Sequence, residues 1–246
     1  MHGWQLIMNL NKLKDLAVDA AKKAGLFLID NKVKEKKILS EDGRDIKLIL
    51  DQETEKIIRS SLAASDIEIM GEEFGGVKKE GKYWVVDPID GTANYFRGLD
   101  ECCVSIALME NDEALIGVIY NFNNDQMYTA VKDQGAFLNN MKISVSDIAS
   151  RGKASITTGF PASETIESSM NFLENLKGWK KVRMFGSAAL SCAYVASGKC
   201  DYYAEKGVYL WDIAAGICLV KEAGGCADFK LIDKERYEVV FSNNLL

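Results

Sequence analysis

Histidine is nearly absent from the sequence: His2, at the second position, is the only one among 246 residues. A Ser-His-Asp or Cys-His nucleophile, a phosphohistidine intermediate and the usual histidine-rich zinc or iron sites all need an imidazole inside the fold. The sequence therefore excludes these chemistries. Any catalysis by this chain has to use carboxylates, hydroxyls and bound metal ions.

Several other features are also missing. No apolar run reaches the ~18 residues of a membrane span, and the start of the chain lacks the basic flank and apolar core of a secretion signal, so we expect a cytoplasmic protein. The net charge is −6 and no long block of one sign occurs, which argues against a nucleic-acid partner. The six cysteines lack the paired two-residue spacing of zinc or redox sites, so we expect buried, reduced thiols.

The apolar pattern of the first half predicts an α+β arrangement. Residues 9–31 carry apolar side chains at three- and four-residue steps, which indicates an amphipathic helix. Residues 45–51 have β character and end at Asp51, which opens a predicted helix over 52–64 and could serve only as its cap. Four apolar runs between 103 and 138, separated by Asn, Asp and Gly, predict an antiparallel meander.

In the second half, predicted strands and helices alternate, as is typical of an α/β arrangement. The predicted strands are 154–158, 181–185, 201–204, 226–229 and 239–241, and the predicted helices are 163–176, 187–197 and 210–223. We expect an α+β subdomain over 1–147 and an α/β subdomain over 148–246. No linker rich in Pro, Gly or Ser separates them, so they should pack tightly.

The segment from Tyr83 to Tyr95 indicates a strand that ends in a metal-binding turn. Residues 83–86 form a short apolar run suited to a buried strand, and Pro88 should end that strand. Asp87 and Asp90 then converge on one point, where two ionised carboxylates repel unless a cation lies between them. The alternative is that both are ordinary turn and cap residues.

Gly91 and Thr92 follow this acidic pair directly. If a helix begins here, its free N–H groups and the missing side chain of Gly91 form a seat for a phosphate oxygen. A second strand-like run, 67–70, leads into the adjacent glutamates Glu72 and Glu73. If the two runs are parallel neighbours, both sets of carboxylates lie at one edge of a sheet, although adjacent glutamates in a loop are usually solvated.

Two places in the second half could contribute to the same site. Asp212 stands at the start of a predicted helix, where a carboxylate suits either a metal ion or a simple cap. The stretch from Arg183 to Ala189 predicts a strand-to-helix turn of small residues. Such a turn can receive a hydroxyl or phosphate of a ligand, or can serve only for tight packing.

Five motifs together resemble the inositol monophosphatase family, which includes fructose-1,6-bisphosphatases. They are GEE at 71–73, DPIDGT at 87–92, FGSAAL at 185–190, WDIAAG at 211–216 and EAGG at 222–225. The resemblance extends over residues 10–243. It implies a layered αβαβα sandwich of the sugar-phosphatase type, a Mg²⁺-dependent phosphomonoesterase activity and a homodimer.

The resemblance also implies a set of metal ligands. Glu73, Asp87 and the carbonyl of Ile89 would hold one Mg²⁺, while Asp87, Asp90 and Asp212 would hold a second. A third, weaker ion would lie near Glu73. A set of oxygen ligands fits Mg²⁺ or Mn²⁺ and disfavours zinc.

The remaining roles come from the same resemblance. Asp51 and Thr92 would orient and deprotonate the attacking water, with Glu73 among the catalytic residues, and one metal ion would acidify this water while the other stabilises the leaving alkoxide. The residues implied to contact substrate are Asp90, Gly91, Thr92, Arg183, Ser187, Ala188, Glu205 and Asp212. The implied substrates are inositol 1-phosphate, fructose 1,6-bisphosphate or both. The alternative is a family member of little catalytic activity that acts as a binding or regulatory protein.

Overall fold

In the described part of the chain, the strands form two large sheets and one small hairpin. The computed structural model describes residues 2–33, 37–42, 45–76, 80–160 and 165–246. The hairpin pairs β1 (Ile38–Asp42) with β2 (Asp45–Leu48). A seven-stranded sheet follows in chain order, with β3 (Ile69–Gly71), β4 (Lys82–Asp90), β5 (Cys103–Glu110), β6 (Glu113–Asn121), β7 (Gln126–Val131), β8 (Gly135–Leu138) and β9 (Met141–Ile143).

The five-stranded sheet is built from the second half of the chain. Its spatial order is β11 (Lys181–Arg183), β10 (Ser155–Thr158), β12 (Tyr202–Tyr209), β14 (Arg236–Ser242) and β13 (Cys226–Asp233). The three strands β11, β10 and β12 are parallel, while β14 pairs antiparallel with both β12 and β13. The change from one large sheet to the other falls between 143 and 155, near the expected subdomain boundary.

Helices cover and separate the two large sheets. They are α1 (His2–Asn31), α2 (Ile49–Leu62), α3 (Thr92–Arg97), α4 (Ile166–Asn175), α5 (Ala188–Ala196) and α6 (Leu210–Glu222). α1 and α2 pack on one face of the seven-stranded sheet, and α5 and α6 lie between the two sheets. Side chains of α4 and of β10 and β12 line one cavity on the outer side of the five-stranded sheet. The mixed α/β layered fold expected from the sequence is therefore confirmed.

Alternating side chains of β4 and β5 explain this layering. Trp84 and Val86 face the core beneath α1 and α2, whereas Tyr83 and Val85 face the core around α5 and α6. Successive side chains of a strand point to opposite faces, so a sheet that is covered on both sides reads as a continuous apolar run. Gly117 allows the closest approach of α6, because a Cβ at this position would collide with the carbonyl oxygen of Ala215.

Most predicted elements are present, with shifted ends. The antiparallel meander is confirmed as β5 to β8. Helix α1 starts earlier than predicted, at His2, and the predicted helix over 163–176 is observed as Ile166–Asn175, residues 163 and 164 lying outside the described part. Strand β12 extends to Tyr209, well beyond the predicted end at 204. None of the helices in the described residues is long and apolar enough to span a membrane.

Candidate active site

Asp87 and Asp90 lie at the end of β4, as the sequence predicts, but Pro88 does not end the strand. β4 continues to Asp90, and its pairing with β5 shifts between the pair Asp87–Ser105 and the pair Asp90–Cys103. A β-bulge tolerates proline because its extra residue is left out of the ladder of hydrogen bonds. The prediction that Pro88 stops the strand was therefore wrong, and the bulge provides the local bend.

Asp212 reaches the same place from α6. It is the third residue of that helix, and its Oδ2 accepts a hydrogen bond of 2.7 Å from the N–H of Tyr209. Asp212 thus caps its own helix, and it also joins the acidic pair of β4. One carboxylate oxygen from each of Asp87, Asp90 and Asp212 lies within 4.8 Å of the other two. We call these three residues the acidic cluster.

The carboxylates of the acidic cluster are buried and repel one another. Burial raises the pKa of Asp87 well above its usual range, and the charges of Glu72, Asp90 and Asp212 add to this rise. Burial and the charge of Asp90 likewise raise the pKa of Asp212. A divalent cation between these oxygens would offset both the burial and the repulsion, and an all-oxygen donor set fits Mg²⁺ or Mn²⁺.

The start of α5 fixes the carboxylate of Asp90. The hydroxyl of Ser187 forms a short hydrogen bond to its Oδ2, and the amides of Ala188 and Ala189 donate at 3.2 and 3.0 Å. The thiol of Cys103 donates to the same Oδ2 at 3.6 Å. Ser187 and Ala188 line the cavity as expected of substrate contacts, but their polar groups are already directed to Asp90.

Gly91 forms the tight turn into α3. Its φ of 87° lies in the left-handed region, and a Cβ at this position would lie 2.8 Å from the carbonyl oxygen of Glu101. The geometry therefore requires glycine. Thr92, the first residue of α3, follows directly, so the turn predicted after the acidic pair is present.

The hydroxyl of Thr92 lies between two acceptors. It is 3.0 Å from Oδ1 of Asp51 and 2.8 Å from the carbonyl oxygen of Ile89. A hydroxyl has one proton, so it donates to one acceptor at a time. When it donates to Asp51, the carbonyl of Ile89, a predicted metal ligand, becomes available to another partner.

Asp51 lies in the first turn of α2. The helix begins at Ile49, earlier than predicted, because Oδ2 of Asp51 accepts the N–H of Leu48 at 2.6 Å and so caps the helix from within. Burial raises the pKa of Asp51 to about 7, and the charge of Glu72 contributes. The cap and the contact with Thr92 use the two different oxygens of one carboxylate.

Of the two adjacent glutamates, the structure places Glu72 and not Glu73 along the cavity. Strands β3 and β4 are parallel neighbours, the arrangement under which both sets of carboxylates lie at one edge of a sheet, and the N–H of Glu72 donates to the carbonyl of Val86 at 3.2 Å. The charge of Glu72 raises the pKa of Asp51, Asp87 and Asp212, and the charge of Glu73 also raises the pKa of Asp51.

A cavity of about 560 Å³ opens beside the acidic cluster. Of the residues implied as substrate contacts, its lining includes Gly91, Thr92 and Glu205 but not Arg183, which is exposed on the edge strand β11. Burial raises the pKa of Glu205 to about 7, and its Oε2 accepts a hydrogen bond of 3.0 Å from the hydroxyl of Tyr203. The cavity thus joins the acidic cluster, which could hold a metal ion, to the carboxylate of Glu205.

Comparison with known proteins assigns this arrangement to a family. Residues 9–229 match the Inositol monophosphatase family. The chain belongs to that family. It is 33% identical over 239 residues to the fructose-1,6-bisphosphatase/inositol-1-monophosphatase of Thermotoga maritima, covering 94% of this chain and 91% of the relative. It is 38% identical over 232 residues to the Nus factor SuhB of Xylella fastidiosa, covering 91% and 84% of the two chains.

Two solved structures share the fold. The Thermotoga maritima IMPase superposes with a TM-score of 0.82 at 32% identity, covering 94% of this chain and 92% of that one. The extragenic suppressor protein suhB of Bartonella henselae superposes with a TM-score of 0.87 at 31% identity, covering 95% and 94%. As a member of this family, the chain is a phosphoric monoester hydrolase that acts on small phosphorylated substrates.

The raised pKa of Asp51 predicts how the stability of the metal-free protein depends on pH. Between its ordinary value of 3.8 and about 7, the folded state keeps the proton that the unfolded state has lost. Asp51 therefore lowers the free energy of unfolding as the pH rises through this range. In a chelator, we expect the melting temperature of wild type minus that of Asp51→Asn to fall from pH 4 to pH 7. A constant difference would contradict the raised pKa.

Glu55 of α2 anchors the loop that carries Glu72. Its buried carboxylate accepts the amide of Glu73 at 2.7 Å and Nε of Arg59 at 2.7 Å. Glu55→Ala leaves these donors without their acceptor, so we expect a loss of about 3 kcal/mol in the free energy of unfolding. Denaturant titration measures it. The matched control is Glu53→Ala on the exposed side of α2, and equal effects of the two variants would contradict the anchoring role.

One side of the cavity was not predicted from the sequence. Tyr209, Trp211 and Arg236 line it together with the exposed Lys206. Tyr209 and Trp211 flank the motif that carries Asp212, but nothing in the sequence indicates that Arg236 pairs with Tyr209 across β12 and β14. Only the sheet register brings this arginine to the site.

Proposed function

We propose that the chain hydrolyses a small sugar or polyol phosphate with Mg²⁺ held by the acidic cluster. The observation that carries the proposal is the convergence of Asp87, Asp90 and Asp212 within 4.8 Å at the edge of one cavity. Three carboxylates in this arrangement are costly without a cation. The turn at Gly91 and Thr92 presents backbone amides and Glu205 presents a carboxylate, so the cavity also has groups that can bind the phosphate and the hydroxyls of an ester substrate.

The residues present fit two divalent ions. Asp87, Asp90 and Asp212 would hold one, and Asp87, the carbonyl of Ile89 and a glutamate of the 71–73 motif would hold the other. We propose Glu73 for that glutamate, as the resemblance implies, with Glu72, which lines the cavity and raises the pKa of Asp87, as a further acidic residue beside it. Mn²⁺ is an expected substitute for Mg²⁺, and a third, weaker ion would share the glutamate.

When bound, the ions would lower the pKa of a water molecule and neutralise negative charge on the phosphate. The chain supplies the proton acceptor: the Thr92 hydroxyl donates to ionised Asp51, and as its oxygen takes a proton from the attacking water, its own proton passes to the Asp51 carboxylate. The amides of Gly91 and Thr92 would bind phosphate oxygens. Glu205 would orient the alcohol, and Ser187 and Ala188 would contact it as part of the cavity wall.

The choice of substrate is supported by the relatives. Inositol 1-phosphate and fructose 1,6-bisphosphate both fit a protein of this family, and the Thermotoga maritima relative carries both activities in its name. We also propose a cytoplasmic homodimer, with the chain divided into subdomains 1–147 and 148–246. Size-exclusion chromatography with light scattering measures the oligomeric state.

The experiment for the proposed function is phosphate release with and without Mg²⁺. Inositol 1-phosphate, fructose 1,6-bisphosphate, glucose and glycerol phosphates form the substrate panel. We expect release from at least one ester that requires Mg²⁺ and stops in a chelator. A folded protein that releases no phosphate from any of them at saturating Mg²⁺ would overturn the proposal.

A second candidate function is that of a binding or regulatory partner. It is favoured by the name of the Xylella fastidiosa relative, Nus factor SuhB, which is 38% identical to this chain. The presence of all three residues of the acidic cluster supports catalysis as the first function. Metal-independent binding by a chain without phosphatase activity would favour the second.

A further inference from the structure

Arg236 lies on a layered stack in the wall of the active-site cavity. The register of β12 and β14 sets it opposite Tyr209, and its guanidinium carbon lies 3.9 Å from the centre of the Tyr209 ring. Tyr209 stacks in turn on Trp211, with ring centres 4.5 Å apart and planes inclined by 18°. All three residues line the cavity that contains Asp212.

The stack holds the guanidinium in one orientation and leaves part of its edge open. Nη1 donates a short hydrogen bond to the carbonyl oxygen of Gly207, while the Tyr209 ring covers one face of the guanidinium. A guanidinium carries five N–H donors in its plane, so stacking and one hydrogen bond leave donors for an anion. This geometry suits bidentate recognition of a phosphate.

Arg236 also has no acidic partner among the residues that the structure describes. In the described part of the chain, no Asp or Glu forms an ion pair with it, whereas Lys206 pairs with Glu238 at 3.1 Å. Glu235 lines the same cavity but is exposed. An anionic group entering beside Arg236 therefore meets a pre-oriented positive charge.

We propose that Arg236 binds a second phosphate of the substrate, so that the favoured class is a sugar or polyol carrying two phosphates. The inference rests on the proposed function, which places the phosphate to be removed at the acidic cluster. A cavity of about 560 Å³ is large enough for such a ligand. Arg183, which the resemblance implies as a substrate contact, lies outside the lining.

The test measures binding without turnover. Calorimetry measures the affinities of two ligands, fructose 1,6-bisphosphate and fructose 1-phosphate, which differ only in the second phosphate. Ca²⁺ replaces Mg²⁺ in this experiment, and product analysis verifies that the ligands stay intact. We expect wild type to prefer the bisphosphate by about 10- to 100-fold. Arg236→Met should remove most of this preference and leave the affinity for fructose 1-phosphate unchanged.

Two further variants identify the cause of any loss of the preference for the bisphosphate. Arg236→Lys keeps the charge without the planar fork and should retain part of the preference. Lys230→Met removes an exposed charge from β13 of the same sheet and should retain all of it. 6-Phosphogluconate, with a carboxylate in place of one phosphate, should bind between the two fructose ligands.

Several results would overturn the inference. An equal preference in wild type and Arg236→Met would refute it, and loss of the preference in Arg183→Met alone would transfer the role to Arg183. Binding of both fructose ligands with no preference in wild type would also refute it while leaving the proposed function intact. If neither fructose ligand binds, the inference is refuted, and the proposed function is decided separately by phosphate release from inositol 1-phosphate and the other esters of the panel.

Discussion

Replacing Asp87 by Asn is expected to lower the turnover of a phosphate monoester by about 10³-fold or more at saturating Mg²⁺. Asp87 is the residue that both proposed ions share, and its oxygens lie with those of Asp90 and Asp212. Asn keeps the size of the side chain and an oxygen for the 2.9 Å hydrogen bond from the N–H of Ile89. The substitution therefore removes a charged ligand and preserves the turn.

The same substitution should make the metal-free protein more stable. Burial and the charges of Glu72, Asp90 and Asp212 disfavour the ionised form of Asp87, so a neutral side chain relieves the repulsion. We expect the melting temperature in a chelator to rise by about 2 °C or more. Mg²⁺ should then stabilise Asp87→Asn less than wild type, because the variant binds the ion more weakly.

Asp228→Asn, a substitution at an exposed position of β13, is the matched control and should change neither property. Turnover of Asp87→Asn within about tenfold of wild type would contradict the assignment. A lower melting temperature of the variant in a chelator would contradict the electrostatic explanation instead. The two measurements therefore examine catalysis and repulsion separately.

Asp51→Asn is expected to lower turnover by about 10²- to 10⁴-fold while leaving the half-saturating concentration of Mg²⁺ nearly unchanged. Its carboxylate contacts the hydroxyl of Thr92 at 3.0 Å and is not one of the three oxygens of the acidic cluster. Loss of the proton acceptor should therefore slow the chemical step more than ion binding. Rates measured over a series of Mg²⁺ concentrations separate the two effects.

Variants of Thr92 provide the control for this couple. Thr92→Ser keeps the hydroxyl and should retain most activity, whereas Thr92→Val keeps the shape and should resemble Asp51→Asn. If Thr92→Val were fully active, Asp51 would not act through Thr92. A large rise in the Mg²⁺ concentration needed by Asp51→Asn would show instead that Asp51 supports ion binding.

Features of the site that depend on residues close together in the chain could be predicted from the sequence. Asp87 and Asp90 follow an apolar run and precede Gly91, so the order of strand, acidic turn and short helix could be predicted locally. Asp212 could be placed at the start of α6 for the same reason. Their convergence depends on α6 lying between two sheets, which only the resemblance to a family indicated in advance.

Other features depend on contacts that sequence patterns do not encode. Alternation alone cannot show which of Glu72 and Glu73 faces the cavity, because the loop is oriented by Glu55 from a different helix. Pro88 was expected to stop β4, but a β-bulge accommodates it. Arg236 reaches the cavity only through the pairing of two strands distant in the chain.

The most direct measurement of the central claim is a crystal structure with bound Mn²⁺ and inorganic phosphate, with ion positions taken from anomalous scattering. The account predicts a strong peak coordinated by Asp87, Asp90 and Asp212, and a phosphate beside Gly91 and Thr92. An empty acidic cluster at Mn²⁺ concentrations that support full activity, or a peak held by other residues, would contradict it.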